Sequence, residues 1–103
     1  MVKFTKEAVM KMLGNVPDDK VFWCLGGRVF KNLLELEAGL RKMSDNTFRY
    51  HCNETKSDFS NWIRDVIGYE ALANDLRKCT TRAQAAKTVA DRVAWLKTKT
   101  RTK

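Results

Sequence analysis

The stretch from Ser57 to Gly68 constrains the fold most. Phe59, Trp62, Ile63, Val66 and Ile67 recur at i, i+3, i+4, i+7 and i+8, which puts five apolar side chains on one helical face. Ser57 or Asp58 is placed to cap the first turn, where a side-chain oxygen satisfies an orphan backbone N–H. Gly68 is placed to end the helix, because it enters the left-handed region without a Cβ penalty. Two of the five apolar residues are large aromatics, which dominate core energetics. The pattern predicts a central helix against which the other elements pack.

Those elements follow from local chemistry. Residues 5–13 read as a short amphipathic helix with Phe4, Ala8, Val9, Met12 and Leu13 on one face, stopped at Gly14-Asn15. Val16-Pro17-Asp18-Asp19 reads as a turn. Val21 to Leu25, Gly26-Gly27, then Arg28-Val29-Phe30 reads as a β-hairpin with a two-residue primed turn. That register sets Leu25 opposite Arg28, Cys24 opposite Val29 and Trp23 opposite Phe30. A phosphate-binding Gly-rich loop is the alternative, but no Gly-Lys-Ser/Thr follows. Residues 31–43 give a helix with Leu33, Leu36, Leu40 and Met43 on one stripe and Gly39 as a site of close packing. Ser44 or Asp45 caps a short helix carrying Phe48, and Tyr69 to Lys78 forms another with Leu72, Ala73 and Leu76 inward. Thr81 and Gln84 match a capping box, opening a longer helix to about Lys97 whose stripe is Ala86, Val89, Ala90, Val93 and Leu96. The predicted fold is mainly α: five or six short helices with one β-hairpin. Residues 1–96 form a single domain, and 97–103, alternating base and threonine without an apolar anchor, form a basic flexible tail.

Charge carries the functional signal. The net charge of +8 is uneven. Residues 1–55 hold nine basic and seven acidic side chains, and residues 56–79 hold four of each. Residues 80–103 hold seven basic side chains and only Asp91. No run is apolar enough for a membrane span, and the N-terminus lacks an apolar signal region, so a cytoplasmic protein is expected. Cys24, Cys52 and Cys79 are odd in number and widely spaced, which fits reduced, partly buried thiols rather than a disulfide framework.

Two groups of side chains are candidates for function. Thr88, Arg92, Trp95 and Lys99 share an outward face of the last helix. Trp95 there either stacks on a base while the cations meet phosphate, or covers the hairpin edge with Arg92 over its ring. The second group, Tyr50, His51, Asn53 and Asp58, flanks the start of the central helix. His51, the only histidine, is expected to be a structural residue held by Asp58, and the helix start beside it offers an anion position. Adjacent His51 and Cys52 do not make a metal site, and no nucleophile motif accompanies His51 as a general acid–base. Neither an enzyme nor a cofactor is expected.

The motifs Gly27-Arg28-Val29, Lys31-Asn32-Leu33, Glu35-Leu36, Met43-Ser44-Asp45, Phe48, Tyr50-His51 and Asn53 are followed by Asp58-Phe59, Trp62-Ile63, Asp65-Val66, Gly68 and Leu72-Ala73. Together, over about residues 21–78, they resemble a family of small, mostly archaeal domains of unknown function. Ser57 stands where that family usually has Asn, and Gly26 where Asp commonly precedes the glycine. The resemblance implies a fold unit and a cytosolic, archaeal-type protein, with no mechanism attached. The basic C-terminal helix and tail lie outside it.

The expected function is non-sequence-specific binding of DNA or structured RNA through phosphates by Arg82, Lys87, Arg92, Lys97, Lys99, Arg101 and Lys103, with Trp95 among them. The alternative is a protein-interaction adaptor using the Trp95 face or the hairpin. The alanine-rich last helix also offers a surface for pairing with a second copy.

Overall fold

The computed structural model describes residues 4–100. The chain runs α1 (Lys6–Leu13), a 3-10 turn (Asp18–Lys20), β1 (Phe22–Trp23), β2 (Val29–Phe30), α2 (Leu33–Lys42), α3 (Asp45–His51), α4 (Asp58–Trp62), a π-helical turn (Ile63–Ile67), α5 (Glu70–Arg77) and α6 (Arg82–Thr100). This is the mainly α architecture with one antiparallel hairpin that the sequence predicts.

Helix starts follow side-chain chemistry. Ala8 N–H donates to Thr5 Oγ1 at 3.1 Å, Glu35 N–H to Asn32 Oδ1 at 2.8 Å and Thr47 N–H to Ser44 Oγ at 3.1 Å. Glu35 also accepts from Lys31 N–H, the residue before the cap, a contact that the sequence reading passes over. At α6 the Gln84 side chain accepts from Thr80 N–H rather than from Thr81, while Thr81 Oγ1 accepts from Gln84 N–H.

Four expectations need correction. In the hairpin, Phe22 pairs with Phe30 and Trp23 with Val29, one residue away from the expected register. The loop is three residues long: Gly27 N–H donates to the Cys24 carbonyl at 3.1 Å, and Gly26 and Gly27 take φ of +97° and +96°. Strand side chains alternate, so this slip buries Phe22 against Phe30 and turns Trp23 outward. In the central stretch, neither Ser57 nor Asp58 caps the helix through its side chain: Ser57 Oγ donates to Ser60 Oγ, and Asp58 turns to His51. The last turn widens to π geometry, with Gly68 N–H donating to the Ile63 carbonyl at 2.7 Å and Gly68 at φ +83°. The extra residue in that turn leaves Val66 half-buried while Phe59, Trp62, Ile63 and Ile67 enter the core. The last correction concerns the tail: α6 continues to Thr100, so residues 97–100 are helical.

The core has two halves. The first is aromatic, with Phe22 stacked between Phe30 and Phe59 and Phe59 stacked on Phe48. Trp62 closes it and donates from Nε1 to the Lys20 carbonyl at 2.8 Å. The second is the seam of α6 against α2, α1 and α5, filled by Ala85, Ala86, Val89, Val93 and Leu96. Ala85 takes the inward position expected of Ala90, which is half-buried. Ala85 and Ala86 of α6 are buried within the chain, while Ala83 and Ala94 are exposed. Gly39 lets Phe30 lie directly on α2, because a Cβ there would sit 2.5 Å from Phe30 Cε1.

Candidate nucleic-acid interface

The eight residues proposed on α6 and beyond fall into three groups. Arg82 and Arg92 are tied into the fold by hydrogen bonds. Arg82 Nη1 donates to the Leu40 and Arg41 carbonyls at 3.0 and 2.9 Å, satisfying the C-terminus of α2, while its Nε reaches Asp45 at 3.1 Å. Arg92 makes a two-pronged contact to Asp75 Oδ2 at 3.0 and 2.7 Å and donates to Tyr69 Oη. Those bonds, that to Asp75 foremost, raise its pKa and fix it as a cation tied to α5. It does not lie over Trp95. Lys87 is exposed and paired with Asp91 at 2.9 Å, one turn on; the bond raises its pKa and offsets its charge.

Trp95, Lys97 and Lys99 form the second group, at the free end of α6. Trp95 is 37% exposed and packs edge-on against Phe4, with centroids 4.9 Å apart, rather than on the hairpin. Lys99 Nζ sits 4.8 Å from the Trp95 ring centroid. Lys97 and Lys99 are exposed and have no ion-pair partner among the described residues. Arg101 and Lys103, the third group, lie outside the described residues.

The polar cluster converges as a buckle. His51 is buried, and both ring nitrogens are engaged. Leu25 N–H donates to Nε2 at 3.0 Å. A backbone N–H can only donate, so Nε2 carries the lone pair and Nδ1–H donates to Asp58 Oδ2, also at 3.0 Å. One ring therefore ties the hairpin loop to the start of α4, with Phe22 and Phe59 packed against it. Asn53 holds the following loop, accepting from Thr55 N–H and donating to the Arg49 carbonyl. Tyr50 points to solvent, 53% exposed, with Lys56 Nζ 4.6 Å from its ring centroid.

A cleft of about 700 Å³ opens beside this buckle. Arg49 comes to it from α3, Lys56 and Ser57 from the loop, Asn61 from α4 and Arg77 from the last turn of α5. Glu54 is the one acidic residue lining it. Arg49 bonds only the neutral Asn46, and Arg77 has no ion-pair partner among the described residues. Cys52 and Cys79 also line it as free thiols, and burial pushes the Cys52 thiol up despite its contact with Ser57. The sequence reading missed this group, because its cations come from three elements and form no run in the chain.

No described helix is long and apolar enough to cross a membrane. No family model, curated protein or solved structure matches the chain.

Proposed function

We propose that the chain is a small basic nucleic-acid-binding protein of the cytoplasm, holding DNA or structured RNA through phosphates with the end of α6. One observation carries the reading. The last two turns present Lys97 and Lys99 to solvent without ion-pair partners among the described residues, Lys99 lying over the part-exposed Trp95 ring. Lysines that stay solvated and uncompensated release counterions from a polyanion at little desolvation cost. Arg101 and Lys103 extend the same charge along the sequence. Arg82 and Arg92 take a smaller share of the contact than the lysines, because each already holds a carboxylate, and Lys87 takes a small share because of Asp91. The test is a salt titration of binding to generic duplex DNA and to RNA. Lys97→Gln with Lys99→Gln is expected to reduce the log–log slope by roughly 0.9 per lost contact on duplex DNA. An unchanged slope and affinity sinks the reading.

A second reading, a protein-interaction adaptor, draws on the hairpin. Its outer face exposes Trp23 and Leu25, with Trp23 71% exposed. Binding insensitive to salt and centred on this face is its signature.

A further inference from the structure

The hairpin face and the cleft adjoin the same buckle. Trp23 and Leu25 share the outer side of the hairpin, and the Leu25 amide rests on His51. The His51 ring lies edge-on to Tyr50 at 5.0 Å, and Tyr50 carries Lys56 over its face. Lys56 also lines the cleft, where Arg49 and Arg77 wait. Passing from the hairpin to the cleft, the surface presents exposed aromatic rings and then cations. Arg28 adds a further exposed cation at the hairpin loop.

That order suits one polymer. Single-stranded nucleic acid offers unstacked base faces and a phosphate at every step, so it takes aromatic platforms alternating with cations. A duplex hides its base faces and has no use for an exposed Trp23 or Tyr50. An apolar protein partner would favour an apolar surround, whereas here Arg28, Arg49, Lys56 and Arg77 supply charge complementary to phosphate. Lys56 shares its charge with Asp58 at 3.1 Å, so Arg49 and Arg77 supply most of the positive field in the cleft. The cleft volume lies in the range of small-ligand sites, and its amide and hydroxyl lining can hydrogen-bond a base edge or a sugar.

We propose that single-stranded nucleic acid lies along this track, with one base stacked on Trp23, another taking the place of Lys56 on Tyr50, and phosphates on Arg49 and Arg77 in the cleft. The proposal rests on the reading that the chain binds nucleic acid, and it assigns a surface separate from the end of α6.

The experiment uses the full chain, an eight-nucleotide labelled single strand (DNA and RNA) and a sixteen-base-pair duplex, read by fluorescence anisotropy across salt. The variants are Trp23→Ala, Tyr50→Ala and Arg77→Gln, all at exposed positions that fill no core space, with Lys97→Gln/Lys99→Gln as the comparison. Each aromatic loss is expected to weaken single-strand binding at least about fivefold. Arg77→Gln is expected to lower its salt slope by roughly 0.7. Duplex affinity is expected to move less than about twofold in all three and to fall in the lysine pair. Single-strand affinity unchanged in all three track variants overturns the track; if the lysine pair still loses duplex binding, the α6 reading survives. If the unaltered chain binds neither nucleic acid at moderate salt, both fall.

Discussion

Gly39→Ala sets two effects of opposite sign against each other. Gly39 lies inside α2, where alanine would gain about 1 kcal/mol of intrinsic helix stability. The added Cβ would sit 2.5 Å from Phe30 Cε1 and 3.1 Å from Cε2, with Cζ also in its path. Phe30 is buried and stacked on Phe22, which is stacked in turn on Phe59. The ring is buried and backed by that stack, so the upper part of the roughly 1–3 kcal/mol overpacking range applies. The expected net loss is about 1–2 kcal/mol. For a domain of this size that lowers Tm by about 4–16 °C, measured by thermal melts followed by circular dichroism. The pair Gly39→Ala/Phe30→Leu isolates the contact, because leucine removes the ring edge. The double variant is expected to lose at least about 1 kcal/mol less than the sum of the singles. A stabilised Gly39→Ala, or strictly additive singles, would refute the argument that Phe30 is seated on the bare helix backbone.

His51→Ala strands the Leu25 amide, leaves Asp58 with Lys56 alone and removes three ring contacts, to Phe22, Tyr50 and Phe59. About 3 kcal/mol should be lost in urea unfolding, with the Leu25 amide losing its hydrogen-exchange protection. Arg82→Ala uncovers the C-terminal carbonyls of α2 and should cost about 1–2 kcal/mol, yet leave nucleic-acid affinity within about twofold, which anisotropy checks directly. Burial holds the Cys24 and Cys52 thiols above their ordinary 9.0. The folded state therefore keeps these protons after the unfolded chain has lost them, so the stability they give is full below pH 9 and falls as pH rises through the folded values. Denaturant midpoints from pH 8 upward should show that fall, flattened in Cys24→Ala.

Periodicity made most of the helices legible. The apolar stripes of α2, α5 and α6 enter the core largely as their spacing implies, and Gly68 ends its helix in the left-handed region. What spacing cannot show is register. Gly26-Gly27 supports a two-residue or a three-residue loop, and the choice was made by burial of Phe22 rather than Trp23 against Phe30. The π turn was hidden for a similar reason, because Val66 fits the ideal helical stripe and only packing turned it aside. The His51–Asp58 contact was legible because a short loop brings the two together, but the Leu25 partner lies 26 residues away. Arg82 and Arg92 read as free cations because residues 80–103 hold seven basic side chains against the single Asp91, and nothing local shows their ion pairs. Their partners Asp45 and Asp75 lie 37 and 17 residues away.

The packing of α6 also bears on how the chain is made. Val89, Val93 and Leu96 close the space between α2, α1 and α5, and they are among the last residues of the domain to be synthesised. Until Leu96 leaves the exit tunnel, the leucines of α2 have α1 and β2 against them but lack their most extensive packing partner. At about 5–20 residues per second, the nascent chain carries that apolar surface for several seconds after α3 has emerged. Chaperone capture during synthesis should therefore concentrate on residues 33–43, and a chain stalled before residue 89 should stay bound.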